Sequence, residues 1–253
     1  MIRNELQAIY VMWLRQMKRF IRSKSRIVGM IVQPLFFLFI LGSGFSKATI
    51  GSVQEGQYMN FLAPGIIAMA ILFSSMFTGV SVLWDRQFGF LQEVLVAPIS
   101  RFSIIIGRTL GGATTALIQG FIILIIALAL GIQTTIPGLL FTIIFMILIA
   151  FTAVGFGLVV ASKMHDFQGF QIIMNLIIMP LFFLSSAFFP VDTIPQMKTI
   201  ASFNPLFYMV DGIRGSLTGT NNLISPYIDL GIVFLIMVIM MGVGSYSFSK
   251  TET

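Results

Sequence analysis

The sequence contains no cysteine and a single histidine among its 253 residues. The lack of cysteine excludes disulfides and thiolate metal sites, and one histidine cannot build a histidine-based metal cluster. Charge is also scarce, because Asp, Glu, Lys and Arg make up 9% of the chain, against roughly 25% in a soluble domain. So few charges cannot cover a water-facing surface. Most soluble enzymes are therefore excluded, and the net charge of +6 does not by itself indicate a nucleic-acid partner.

Long apolar runs take the place of the missing charge: hydrophobic residues make up 57% of the chain, and the mean hydropathy is +0.98. A membrane-spanning helix needs about 20 mostly apolar residues. One charge-free run, residues 109–162, is long enough for two crossings and contains a glycine- and proline-rich turn signal at 131–138. The runs predict an all-α integral membrane protein with six spans, at about residues 27–45, 61–84, 106–130, 138–161, 170–189 and 230–248.

The distribution of Lys and Arg predicts the orientation of these spans. Seven of the fifteen lie in the first 26 residues, and five more lie in segments that six spans would place on the same side. The other side holds only Lys47, Lys198 and Arg214. Twelve cations against three predict a multi-pass protein of the plasma membrane with both termini in the cytoplasm.

Residues 1–26 predict an interfacial helix rather than a signal peptide, because the charged region is long and no small-x-small cleavage site follows it. Within residues 2–22, apolar side chains recur at helical spacing, while the cations Arg15, Lys18, Arg19 and Arg22 share the opposite face. Such a helix lies in the headgroup region with its cations near anionic lipid. A passive anchor and a moving lever both remain open as its role.

Residues 85–101 form the largest predicted cytoplasmic loop, and the loop is unusually apolar. A short helix is predicted in its middle, ended by Pro98, since proline disfavours helix at the preceding residue. A loop of this composition needs a surface to pack on. That surface is either a partner protein or the spans of the chain itself.

Residues 190–226 are rich in proline yet also in large apolar side chains, which a solvated loop would not expose. We predict two short helices here that dip partly into the outer leaflet, with their backbone shielded by protein. Asp211 and Arg214 are three residues apart and can pair along one helix.

Motifs for catalysis are missing from the sequence. The phosphate-binding pattern G-x-x-x-x-G-K-[ST] does not occur, Gly42-Ser43-Gly44 does not match a serine-nucleophile turn, and His165 is predicted to be a solvated loop residue.

The spans carry no charge near their centres, which disfavours ion-driven transport. Amides and hydroxyls there favour hydrogen bonding between helices over a substrate path. The candidates for such a path are Gln33, Thr78, Gln119, Gln171 and Asn175. Glycines at 111–112 and at 155 and 157 indicate close helix packing.

Three stretches resemble the ABC type-2 transporter permease family, in particular its daunorubicin-resistance-type drug exporters. They are Arg86-Gln-Phe-Gly89-Phe-Leu-Gln-Glu93-Val-Leu-Val-Ala-Pro98, Leu184-Ser-Ser-Ala-Phe-Phe-Pro190, and Asn204-Pro205-Leu-Phe-Tyr208 followed by Asp211 and Arg214. The resemblance covers nearly the whole chain, in order. One departure is Ser185-Ser186, where the family often has a serine–glycine pair, which we expect to change packing mildly.

The resemblance implies a single ABC type-2 transmembrane domain over 1–253 that forms a homodimer and docks separate ATPase subunits. ATP and magnesium would bind in those subunits, so this chain itself would be neither an enzyme nor a cofactor protein. The ATPase-coupling residues would be Arg86, Gly89, Phe90, Leu91, Glu93, Val94, Leu95 and Pro98. The outer re-entrant motif would comprise Pro190, Asn204, Pro205, Tyr208, Asp211 and Arg214.

Two functions remain open at this stage. One is the permease subunit of an ATP-driven exporter for an amphipathic drug, lipid or lipid-linked glycan, as in multidrug export. The other is a membrane-embedded assembly protein that docks a cytoplasmic partner without transport. The sequence does not identify the substrate or show whether the dimer contains two identical chains.

Overall fold

The computed structural model describes residues 2–89, 99–164, 166–191, 195–220 and 222–251. These residues form nine α-helices, and their only β-type pairing is an isolated bridge between Ile50 and Val53. The helices are α1 (Ile2–Arg22), α2 (Lys24–Gly44), α3 (Tyr58–Gln87), α4 (Arg101–Ala129), α5 (Ile136–Lys163), α6 (Phe167–Phe183), α7 (Pro195–Ser202), α8 (Pro205–Leu217) and α9 (Pro226–Thr251). The predicted all-α fold is confirmed.

Helix α1 confirms the amphipathic helix predicted for residues 2–22. Its buried side chains include Met12 and Phe20, and it packs along α4. The close approach is possible because Gly107 and Gly111 of α4 have no side chain to collide with α1. The indole nitrogen of Trp13 donates a hydrogen bond to Thr114 Oγ1 at 3.1 Å. This helix is therefore attached to the bundle along its length.

Five helices are long and apolar enough to cross a membrane: α2, α3, α4, α5 and α9. The sixth predicted span corresponds to α6, which has only 17 residues and a length of about 26 Å. The prediction extended this span to residue 189, but the helix ends at Phe183 and a tight turn follows. Five crossings are therefore supported by length and composition, and the sixth stays a prediction.

Helix α3 occupies the centre of the bundle and is buried on nearly every side. It contacts α2, α4, α5, α6 and α8. Two glycine pairs allow the closest approaches: Gly79 of α3 meets Gly157 of α5, and Gly155 of α5 meets Gly244 of α9. The predicted packing role of the glycines at 155 and 157 is confirmed, since a methyl group on Gly155 would collide with the backbone of α9.

The bundle has two ends, which we call the basic end and the opposite end. The basic end carries α1, the ends of α3 and α5, the starts of α4 and α6, and the last residues of α9, as shown by the contacts of Trp84 with Phe167 and of Arg108 with Phe248. The opposite end carries residues 45–57, 130–135, 184–191, 195–220 and 222–225. Helix α1 and the end of α9 thus lie at the same end of the molecule, as an even number of crossings requires.

The predicted pair of short helices between the fifth and sixth spans is present as α7 and α8. Helix α8 is deeply buried, with Leu206, Val210 and Ile213 in the main apolar core. Pro205 is its first residue, a position where the missing proline N–H costs nothing. How far the two helices enter the outer leaflet stays a prediction.

Candidate functional site

Three arginine side chains at the basic end surround Asp85, near the end of α3. Both Asp85 oxygens accept hydrogen bonds from Arg15 of α1, at 2.6 and 2.9 Å. Arg108 of α4 lies 3.0 Å from the same carboxylate, and Arg19 of α1 lies 3.5 Å from it. Asp85 and Arg108 are both 4% exposed, so this pair has little screening by water. One carboxylate therefore joins α1, α3 and α4.

A second contact joins α1 to the start of α4. The Glu5 carboxylate accepts hydrogen bonds from the Ser100 backbone N–H, at 3.1 Å, and from the Ser100 hydroxyl, at 2.7 Å. Ser100 is also the N-cap of α4 and accepts the backbone N–H of Ser103. Hydrogen bonds from Ser103 and Ser100 hold the pKa of Glu5 below its usual value. Glu5 is therefore ionised at neutral pH and maintains this contact.

These two contacts lie immediately before and after the predicted ATPase-coupling loop. Arg86 and Gly89 belong to the described part, where Gly89 has a φ of +73°, a backbone conformation that favours glycine. Phe88, which directly precedes Gly89, is 81% exposed. The other coupling candidates, Phe90, Leu91, Glu93, Val94, Leu95 and Pro98, lie outside the described residues, as does His165. Helix α1 thus contacts the chain at both ends of this loop.

An aromatic groove opens on one side of α3, between α2 and α6. Its volume is about 190 Å³, and its walls are Phe37, Leu41, Met69, Phe73, Met179, Phe182, Phe183, Phe188 and Phe189. A smaller cavity of about 70 Å³ continues along α3 and α6, and Phe73 lies in both. Phe182, Phe183 and Phe188 pack ring against ring, with centroids 5.2 and 5.6 Å apart. Such walls suit an apolar group and give it little directional selectivity.

The five residues predicted for a substrate path are not brought together. Gln171 and Asn175 line the smaller cavity, on the exposed face of α6. Gln33 is exposed on α2. Thr78 and Gln119 are 2% and 1% exposed, and Gln119 donates to the sulfur of Met30. Two of the five candidates therefore belong to the packed interior of the single chain, and three are accessible from its surface.

At the opposite end, Arg214 of α8 is completely buried and bonds mainly to the backbone. Its nitrogens donate to the carbonyl oxygen of Phe61, at 3.2 and 3.3 Å, and to that of Ser186, at 2.6 Å. Its guanidinium group lies 3.9 Å from the centre of the Phe61 ring. The predicted pairing with Asp211 is confirmed at 3.9 Å. The backbone partners were not predictable from sequence spacing.

Three more residues of the outer motif, Asn204, Tyr208 and Asp211, also bind the backbone. Asn204 caps α8, since its Oδ1 accepts the Leu206 N–H at 3.0 Å, and its amide nitrogen donates to Leu181 O. The Tyr208 hydroxyl donates to Ser202 O at 2.7 Å. Both oxygens of Asp211 accept backbone N–H groups, from Leu223 and Ile224. These contacts hold α8 to the end of α6 and to residues 223–224 rather than presenting a reactive group.

The amino-acid sequence that builds these sites is similar to the sequences of known proteins. Residues 7–218 match the model of the family described as ABC-2 type transporter. The chain belongs to this family. It is therefore a multi-pass membrane permease, and such permease subunits associate with an ABC ATPase.

Relatives across most of the chain agree with this assignment. The transport permease ycf38 of Cyanophora paradoxa is 29% identical over 97% of this chain and 89% of its own length. Nodulation protein J of Rhizobium leguminosarum bv. viciae is 30% identical over 77% of this chain and 76% of its own. The inner membrane transport permease YadH of Escherichia coli strain K12 is 24% identical over 85% of this chain and 84% of its own.

Proposed function

We propose that this ABC-2 permease exports an amphipathic drug, lipid or lipid-linked glycan, driven by a separate ATPase subunit that seats the loop 86–98. The observation that carries the proposal is the pair of contacts on either side of that loop: Arg15 with Asp85 before it, and Glu5 with Ser100 after it. A displacement of the loop would therefore act on α1, α3 and α4 together. ATP and magnesium would bind in the ATPase subunit.

The aromatic groove supports a path for an apolar substrate between two copies of the chain. Helices α2 and α6 on either side of it present exposed apolar faces, including Phe36 (59% exposed) and Leu176 (72% exposed). A second copy placed against these faces would close the groove. In this arrangement Gln33, Gln171 and Asn175 would lie near the path, while Thr78 and Gln119 would face it only after a rearrangement.

Cysteine crosslinking tests the homodimer, since the chain has no cysteine of its own. Single cysteines at the exposed positions Phe36 and Leu176 should give crosslinked dimers in native membranes. A cysteine at Val238, exposed on α9 away from the groove, is the control and should not. Equal crosslinking at all three positions would indicate random collision in the bilayer and would contradict the proposed interface.

The coupling loop is tested by Leu91→Asp, with Phe203→Asp as its matched control. Phe203 is 86% exposed at the opposite end, so the control adds the same charge far from the proposed ATPase. Burying a leucine in a partner cleft contributes roughly 1.5–3 kcal/mol. We expect Leu91→Asp to reduce co-purification of the ATPase by at least about tenfold. The melting temperature of this permease variant should equal that of the Phe203→Asp control.

Reconstituted ATPase activity distinguishes export from mere docking. If the permease exports an amphipathic substrate, that substrate should stimulate ATP hydrolysis. We expect Glu93→Ala to abolish the stimulation while the complex stays assembled. A docking protein would bind the ATPase without any substrate-dependent turnover. If Leu91→Asp instead lowers the thermal stability of the permease alone and leaves co-purification unchanged, the loop packs on its own spans and the coupling assignment is wrong.

A further inference from the structure

A second pocket lies at the opposite end of the bundle, away from the aromatic groove. Its volume is about 430 Å³, within the range of roughly 300–1,000 Å³ typical of small-molecule sites. Three segments form its walls: residues 133–141 before and within the first turns of α5, residues 215–219 at the end of α8, and the first residues of α9. It shares none of its described lining residues with the aromatic groove.

The walls of this pocket combine polar and apolar groups, and its described lining residues carry no charge. Among the described residues that line it are the hydroxyls of Thr134, Thr135, Ser216 and Thr218 and the amide of Gln133, and none of those described is Asp, Glu, Lys or Arg. The Ser216 hydroxyl oxygen is buried and has no hydrogen-bond partner within the described part of the chain. A buried hydroxyl left unpaired is destabilising, so a ligand that pairs with it would gain from the contact.

An aromatic ring stands at the mouth of the pocket. Tyr227 is 71% exposed, and the edge-on ring of Phe141, with a centroid 5.5 Å away and planes at 87°, supports it from one side. Tyrosine offers an apolar ring together with a polar hydroxyl. A sugar ring matches this combination, because its C–H face can lie on the aromatic ring while its hydroxyls pair with the walls.

Other ligand classes match the walls less well. An ionic ligand would lose its hydration on binding, and no described lining residue offers an opposite charge to compensate for the loss. A purely apolar ligand would cover hydroxyls without pairing them, whereas the aromatic groove, whose lining is entirely apolar, would accept it at no such cost. We propose that this pocket binds a neutral sugar unit, supplied either as a free saccharide or as the headgroup of a glycolipid. The site does not depend on the transport proposal.

Saturation-transfer NMR on the purified permease in phospholipid nanodiscs tests this site. Detergents with sugar headgroups must be avoided, because they would compete for it. Free maltose is one probe, and a neutral glucosyl-diacylglycerol included in the nanodisc is the other. We expect saturation transfer to the sugar-ring protons of at least one of them. Transfer to maltose identifies a site open to free sugar, and transfer only to the glycolipid identifies a headgroup site.

Variants on α9 provide the control. Tyr227→Ala should weaken binding about tenfold, the size expected when one aromatic contact is lost, and Tyr227→Phe should retain most of it. Tyr246→Ala removes another exposed tyrosine, at the basic end of the same helix, and should leave binding unchanged. Absence of transfer to both probes, equal binding by Tyr227→Ala and the wild-type chain, or equally strong binding of glucose 6-phosphate would each overturn the assignment.

Discussion

Each end of the bundle contains one buried arginine, Arg108 at the basic end and Arg214 at the opposite end, but the two ends use different partners for their arginines. At the basic end, Arg15, Arg19 and Arg108 share one carboxylate, and Arg15 and Arg19 remain 32% and 31% exposed. At the opposite end, Arg214 is fully buried and donates to two backbone carbonyl oxygens. Side-chain ion pairs near water can be exchanged at low cost, whereas backbone partners fix one conformation. The basic end is therefore suited to rearrangement and the opposite end to rigidity.

Arg214→Ala should have the largest effect, because it breaks the rigid cluster. The substitution leaves the carbonyls of Phe61 and Ser186 and the Asp211 carboxylate without their buried cation. Loss of one partner from a buried charged network costs about 3–5 kcal/mol. We expect the melting temperature of the purified permease to fall by about 6–20 °C, since 1 kcal/mol corresponds to roughly 2–4 °C at this chain length.

Arg22→Ala serves as the control for Arg214→Ala. Arg22 is an exposed residue at the end of α1, and its loss should change the melting temperature by less than about 4 °C, because exposed charges contribute about 0–1 kcal/mol. If the two variants melt at the same temperature, the opposite end is not the rigid part of the molecule and the comparison fails.

Asp85→Asn should have an intermediate effect, confined to the basic end. The amide keeps the shape of the side chain but removes the charge that three arginines share, including the 4%-exposed Arg108. The loss should be below the about 3–5 kcal/mol of a fully buried pair, because Arg15 and Arg19 can turn toward water. Helix α1 should then separate from α3 while the opposite end stays intact.

Spin-label distances measure this separation. A label on α1 at Tyr10, which is 57% exposed, should move relative to one at Phe88, which directly follows α3 and is 81% exposed. A second pair, at Ile136 and Tyr227, reports the opposite end and should keep its wild-type distance. ATPase coupling should fall with the first distance change. A uniform broadening of both distances would mean that Asp85 stabilises the whole bundle rather than one end of it.

The sequence predicted the elements of both ends but only part of their connections. Apolar runs and helical periodicity place α1 to α5 and α9 to within a few residues, because burial in lipid leaves the backbone few alternatives to a helix. Local pairs such as Asp211 with Arg214 also follow from spacing. The contact of Arg15 with Asp85 links residues 70 positions apart, and no periodicity encodes it. Arg214 could be recognised as a motif residue, but its backbone partners depend on the turn after α6.

That turn provides the smallest and most specific prediction. Ser186 has a φ of +62°, in the left-handed region where a side chain is strained by about 1–2 kcal/mol. The family often has glycine where this chain has Ser186, and from the sequence we expected this difference to change packing mildly. The structure shows that the difference instead affects the backbone, because Ser186 adopts a conformation that favours glycine. Arg214 holds the Ser186 carbonyl in place, so the turn keeps this conformation in spite of its cost.

Ser186→Gly should remove the strain and lose only the Ser186 hydroxyl contact to Arg214, which is long at 3.4 Å. The greater freedom of glycine in the unfolded chain offsets part of the gain. We expect the melting temperature to rise by about 1–3 °C. Ser186→Ala loses the same hydroxyl but keeps a side chain in the left-handed region, so it should melt slightly below the wild-type chain. The difference between the two variants measures the backbone strain, reduced by the cost of the greater freedom of glycine in the unfolded chain. If alanine proves as stable as glycine, the turn is not strained, and the rigidity of the opposite end derives from Arg214 only.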